Sequence, residues 1–380
     1  MTEFVNPYNF VRSEYDPKKT HQPLPHNQLH TKHYSGRLTC TLTTVSRVTT
    51  ESLDWKKGSC IYGSSLKGVI RSVAEALSHS CLPLGGKKCQ RADSLCLCCR
   101  MFGWLDKGNV YMGRVHIGDA KPQGSGWSEQ SAEYIEWQAL SGPKARHRPF
   151  YNSGGQARGR KFYYHHDPSK PEQKITKTKP HGQDKLSIAK ANQVFSFAAD
   201  FADLTRPELG LLLYALQLED GWFHKIGKAK PLGFGTVKIV INAVELLPPN
   251  RYEDWDARPT PLESLPLSAV GMRQSLISTA ANADAETIWN GFSTEERHIR
   301  FIEAHVDEFF QQHFGVSHQQ RDTLSHWRDL RHLLRQHPGY NIHYPTQGWF
   351  NDLANKSVGL PNPEEVEGNP PGDRSKWLKE

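Results

Sequence analysis

The sequence predicts an α+β fold, and three observations carry that expectation. Leu38, Cys40 and Leu42 alternate with Thr39, Thr41 and Thr43, the period of a strand with one buried face and β-branched residues on the other. Leu66, Ile70, Val73 and Leu77 then recur at helical spacing, gathering four apolar side chains on one stripe. A second strand, helix and strand unit follows: Phe195 and Phe197 alternate with Ser196 and Ala198, Thr205-Arg206-Pro207-Glu208 reads as a capping box opening an apolar helix, and Thr236 to Leu246 reads as a strand. Strand, helix, strands, then strand, helix, strand is the outline of a ferredoxin-like fold carrying insertions.

Taken in order, residues 1–33 carry Pro7, Pro17, Pro23, Pro25 and scattered histidines without an apolar period, and are expected to form an extended arm. The first strand begins near Tyr34, and a short loop containing Glu51 and Asp54 leads to the first helix. Ser64 is a favoured helix N-cap. Lys67 and Arg71 share one flank of this helix. A Gly-Ser-Ser start followed by two cations suits a phosphate, because a helix N-terminus offers unpaired N–H groups and partial positive charge. An amphipathic helix with two solvated cations would carry the same residues.

Five of the seven cysteines lie between Cys81 and Cys99. The spacing Cys81-x7-Cys89-x6-Cys96-x2-Cys99 suits four thiolates around a tetrahedral structural zinc, with Cys98 as a spare; the alternative is a set of buried free thiols. Val110 to Ile117 reads as a further strand, and Glu133 to Leu140 as an element of undetermined type. Twelve Lys or Arg against three acids between Lys144 and Lys190 give that segment +9 of the chain's net +7, leaving about −2 elsewhere. Within it, Arg146-His147-Arg148-Pro149-Phe150-Tyr151 and Arg158-Gly159-Arg160-Lys161-Phe162-Tyr163-Tyr164-His165-His166 interleave cations with aromatics, a pattern that suits single-stranded nucleic acid, the alternative being a solvated basic loop. The run from Lys170 to Lys190 reads instead as a solvated basic loop.

Between the second helix and the last strand lies His224-Lys225-Ile226-Gly227-Lys228-Ala229-Lys230-Pro231-Leu232-Gly233-Phe234-Gly235. Its glycines permit close backbone approach, and its lysines bring charge to the same place. Residues 248–268 turn Pro- and acid-rich, as a linker would. Ser293 and Glu296 form a capping box before a helical region that extends over 269–360, with a second stripe at Leu324, Trp327, Leu330 and Leu334. The acidic, proline-containing residues 361–380 are expected to be disordered.

At 380 residues, 37% hydrophobic and 23% charged, the chain has the composition of a soluble globular protein. No apolar run is long enough to span a bilayer and the N-terminus lacks a signal-peptide pattern, so a cytoplasmic protein is expected. The clustered cysteines do not suit a secreted disulfide framework.

The Gly63-Ser64-Ser65-Leu66-Lys67-Gly68-x-x-Arg71 helix, the Cys96-x-x-Cys99-x-x-Phe102-Gly103 element and the lysine-rich glycine loop together resemble the RAMP superfamily of CRISPR-associated proteins. The resemblance covers about residues 34–247, with the cysteine insertion at about 79–104 and the basic insertion at about 141–190. It implies a ferredoxin-like core and a backbone-forming, guide-RNA-binding subunit of a type III effector complex. Such a subunit would meet a complementary target RNA and other RAMP-type subunits. The implied RNA-binding residues are Ser64, Ser65, Lys67, Arg71, Arg158, Arg160, Lys161, His224, Lys225, Gly227, Lys228, Lys230, Gly233 and Gly235. Cutting relatives use a first-loop aspartate with a divalent ion, a place that Asp54 with Mg would take here, although its loop is short. The alternatives are a metal-independent RAMP nuclease processing precursor guide RNA through His165, His166 or His224, and a generic RNA-binding protein.

Overall fold

The computed structural model describes residues 3–15, 19–28, 30–50, 60–82, 88–124, 132–136, 147–167, 185–248, 256–270, 284–368 and 373–380. Its centre is an antiparallel sheet built from β1 (Tyr34–Thr44), β2 (Val115–Ile117), β3 (Val194–Leu204) and β4 (Thr236–Leu246), in the spatial order β4-β1-β3-β2. Strand β1 sits between its two long partners, with Leu42 opposite Phe195 on one side and Ile239 on the other. The alternation along β1 is thereby explained: Leu38, Cys40 and Leu42 are fully buried.

Helix α1 (Gly63–Leu77) follows β1, and α2 (Leu97–Phe102) carries two of the cysteines. Leu66, Ile70, Val73 and Leu77 of α1 are all buried, each contributing roughly 1.5–3 kcal/mol. The helix begins one residue earlier than its serines suggest. Tyr62 stands at the N-cap without a side-chain bond, Ser64 is exposed within the first turn, and the Gly63 N–H donates to Asp119 Oδ1 at 2.7 Å. A carboxylate from the chain itself therefore satisfies part of the N-terminus that the sequence offers to a phosphate. Helix α3 (Arg206–Leu216) has the expected capping box between Thr205 and Glu208.

Helix α4 (Thr294–Phe314), whose Ser293–Glu296 capping box is also present, packs along α3, and α5 (Ser325–Leu334) lies against α1. Phe301, Phe309, Phe310 and Leu330 share one hydrophobic core with the sheet and α1. The helical region is thus continuous with the core rather than separate from it.

The two ends of the chain differ from expectation. The N-terminal segment, expected as an extended arm, is paired and anchored: Tyr8–Val11 pairs with Arg160–Tyr163 in an antiparallel ribbon, and Phe4, Tyr8, Phe10 and Val11 are buried. The tail, expected to be disordered, pairs Leu378 with Phe4 and buries Val366 and Trp377. Local composition misses this because sparse aromatic anchors, not a periodic stripe, hold both ends. Among the described residues, no helix is long and apolar enough to cross a membrane.

Candidate nucleic-acid interface and metal centre

A cleft of about 450 Å³ opens between α1, the ribbon strand Arg160–Tyr163 and the glycine loop. Its helical wall is Ser65, Gly68 and Ser72 with Val69, a stripe of small residues at helical spacing that leaves the helix surface open to a ligand. Its opposite wall brings together Lys161, His224, Lys225, Gly227, Lys228 and Lys230. Among the described residues, no Asp or Glu lines it.

The glycine loop is shaped by the strand it crosses. Gly227 has φ +81°, and a Cβ there would meet the Thr49 carbonyl oxygen at 2.2 Å; Gly235, at φ +87°, is packed equally closely on Ile226. Lys228 N donates to that Thr49 carbonyl at 2.9 Å, Gly235 N to Arg47 O at 2.7 Å, and the Gly233 carbonyl accepts from Ser46 Oγ at 2.9 Å. These bonds fold the loop back on the end of β1 and turn its lysines into the cleft.

Cation crowding is visible in the acid–base behaviour. Burial, with Lys230 beside it, pushes the Lys225 ammonium down to about 7, and burial next to Lys161 lowers Lys230 as well. Lys225 Nζ donates to Thr236 Oγ1 at 3.2 Å and the Gly233 carbonyl at 3.4 Å, neutral oxygens that do not balance its charge. Lys161 lies 3.7 Å from the centroid of the Tyr8 ring and donates to Tyr151 Oη at 3.0 Å, so aromatic faces hold it at the cleft. Clustered lysines without an opposing acid form a seat for a polyanion.

Other expected RNA ligands lie elsewhere. Lys67 Nζ donates to the Val115 carbonyl at 2.9 Å, and Arg71 pairs with Glu75 at 2.8 Å while donating to the Gly103 carbonyl at 3.0 Å. Arg160 binds the second Glu75 oxygen at 2.6 Å and the Cys81 carbonyl at 2.9 Å. Arg158 donates to Asn362 Oδ1 at 3.3 Å. None of these four lines the cleft, and neither does Ser64. Three of them, Lys67, Arg71 and Arg160, tie α1 to the segments beside it. Asp54 lies outside the described residues.

The histidines are occupied or enclosed. His224 bonds the Leu216 carbonyl through Nε2 at 3.0 Å, and burial pushes it down to about 4. His165 is fully buried with Nδ1 on Thr236 Oγ1 at 3.0 Å, and its pKa is driven well down by burial. Burial, with Lys225 nearby, pushes His166 down to about 3. Such groups stay neutral near pH 7 and are poor general acids.

On the far side of α1, Cys81, Cys89, Cys96 and Cys99 converge with their sulfurs within 4.8 Å of one another, all buried. Hydrogen bonding from Cys81 pushes Cys89 down to about 7 and Cys96 well below the ordinary thiol value. Cys96 N donates to Cys89 Sγ at 3.1 Å, and Arg71 Nη2 lies 3.7 Å from Cys99 Sγ, donors that suit thiolate charge. Four sulfurs at this separation can hold a metal ion. Cys98 points away, its Sγ 3.4 Å from Ser78 Oγ.

Sequence reasoning missed Thr50, Tyr62, Gly68 and Ser72 of the cleft. The small residues Ser65, Gly68 and Ser72, at i, i+3 and i+7, were the available signal. No curated protein matches the chain. The model of the RAMP superfamily matches residues 41–238, slightly more than half of the 380 residues and spanning both the cysteine cluster and the glycine loop. By that match the chain belongs to the RAMP superfamily of CRISPR-associated, RNA-binding proteins.

Proposed function

We propose that this chain is a backbone-forming subunit of a type III-like RNA-guided effector complex acting in the cytoplasm, and that its cleft holds the phosphates of a guide RNA. The observation that carries this reading is the convergence of Lys161, Lys225, Lys228 and Lys230 on one cleft without a lining acid among the described residues. The strand order β4-β1-β3-β2 supports a ferredoxin-like, RRM-like core. Complementary target RNA would pair with the guide, and other RAMP-type subunits would complete the complex.

The four buried cysteines fit zinc, because an all-sulfur donor set leaves no open position and suits a structural ion. Bound zinc would neutralise the thiolates and cross-link the segment from Cys81 to Cys99. His165, buried and away from the cleft, and His224, committed to the Leu216 carbonyl, favour a scaffold over a nuclease that processes precursor RNA. Target cutting would rest on Asp54 with Mg, and we assign this chain the scaffold role instead.

The test is to purify the protein with the RNA it carries and sequence that RNA. Repeat-derived guides are expected; heterogeneous cellular RNA would reduce the reading to generic RNA binding, and single processed repeats would return the nuclease. With complementary RNA and magnesium, the assembled complex and its Asp54→Ala variant should cleave alike or not at all; cleavage lost only in the variant would make Asp54 catalytic.

A further inference from the structure

Residues 21–33 cross the end of the sheet without burying a single described side chain. A stretch this polar has no hydrophobic reason to stay in place. His21 forms a bridge with Leu95, and Tyr111 Oη donates to the Leu24 carbonyl, while the end near His30 is held at Asp203, which lies at the irregularity in β3 between Phe201 and Leu204 and adopts φ +55°, turning away from the ladder. Asp203 is buried, and its pKa is lowered: burial opposes ionisation, but hydrogen bonds from His30 and the charges of Arg114 and His33 outweigh it.

Arg114 and the two histidines share the carboxylate. Arg114 Nη1 holds Oδ2 at 2.7 Å, while its Nη2 holds the Leu24 carbonyl at 2.9 Å. Oδ1 accepts the His30 backbone N–H at 3.0 Å and faces His33 Nδ1 at 3.1 Å, while His30 Nδ1 lies across both oxygens, 3.0 Å from Oδ2 and 3.3 Å from Oδ1. The three donor atoms lie within 4.8 Å of one another. Ligands about 2.0–2.1 Å from a tetrahedral ion stand about 3.3 Å apart, close to the separation of Oδ1 from each imidazole nitrogen. Arg114 on the other oxygen is then the outer partner that orients a ligating carboxylate. The ring centroids are 4.7 Å apart with the planes tilted by 32°, and His30 remains about one-third exposed, leaving a path for the ion.

We propose that His30, His33 and Asp203 form a second metal site, distinct from the four cysteines, which takes a divalent ion of the zinc or cobalt class and pins residues 21–33 to β3. Two borderline imidazole nitrogens beside one hard carboxylate oxygen match such ions rather than magnesium or calcium, which take all-oxygen shells. Three protein ligands leave a fourth position that water would complete. The site does not depend on what the cleft binds.

The test is the metal content of the full-length protein after passage over a chelating resin. About two zinc ions per chain are expected in the wild type and about one in a His30→Gln, His33→Gln variant, with the thiolate-to-metal charge-transfer band of the cobalt-loaded protein unchanged. X-ray absorption at the zinc edge of the wild type should find nitrogen or oxygen scatterers beside sulfur, a measurement that stands even if the variant fails to fold. A zinc shell of sulfur alone, or equal zinc content in a folded variant and the wild type, would overturn the proposal.

Discussion

Two sets of cations flank helix α1, and they contrast in what faces them. On one side Arg71 and Arg160 grip the two oxygens of Glu75, and Lys67 caps the Val115 carbonyl. On the other, Lys161, Lys225, Lys228 and Lys230 crowd a cleft that no acid lines among the described residues. The first set is committed to holding the helix against the cysteine segment and the ribbon. The second brings four lysines together on one wall of the cleft. A cation's role here follows from its partner rather than from its motif, since Lys67 and Arg71 belong to the helix motif that suggested phosphate binding.

The contrast can be broken most forcefully at Glu75, which is buried and bridges both arginines. Glu75→Ala would leave two cations without their partner and should cost about 3–5 kcal/mol in denaturant unfolding. Its RNA affinity, measured where the variant remains folded, should keep the wild-type salt slope. A mild loss of stability would mean that Arg71 and Arg160 are not structural.

A smaller effect is expected from Lys225→Ala. RNA affinity should fall by about 1.5–3 kcal/mol for all sequences alike, with the log–log salt slope reduced by about 0.7 for one single-strand phosphate contact. The lysine also sets a pH dependence. In the RNA-free fold its pKa is about 7, against the ordinary 10.5 of an unfolded chain. Between these values the unfolded chain binds more protons, so stability should rise with pH across that window. RNA binding needs the charged form and should weaken as pH rises above about 7. Both slopes should shrink in Lys225→Ala; unchanged slopes would remove Lys225 from the site.

The smallest effect is predicted for Lys67→Met, which keeps the stem of the side chain and removes its charge. Its salt slope for RNA should match the wild type in the same binding titrations. A slope reduced by about 0.7 would return Lys67 to the RNA surface and erase the distinction between the two flanks.

Much of this was legible in the residues. The buried stripe of α1, the alternation of β1, the capping boxes at Thr205 and Ser293 and the convergence of Cys81, Cys89, Cys96 and Cys99 follow from local spacing, because helical period, strand period and capping geometry are set within a few residues. The glycine loop was legible as a place of close approach for the same reason. The tertiary structure alone decided which flank of α1 faces the cleft, since Lys67 and Ser65 are two positions apart and only packing selects between them. It alone brought Lys161 from a distant ribbon beside Lys225, and tied the polar stretch near His30 to Asp203, a separation of 173 residues along the chain. Spacing encodes neighbours within a helix or strand, whereas contacts across such distances depend on the folded sheet that closes the intervening loops.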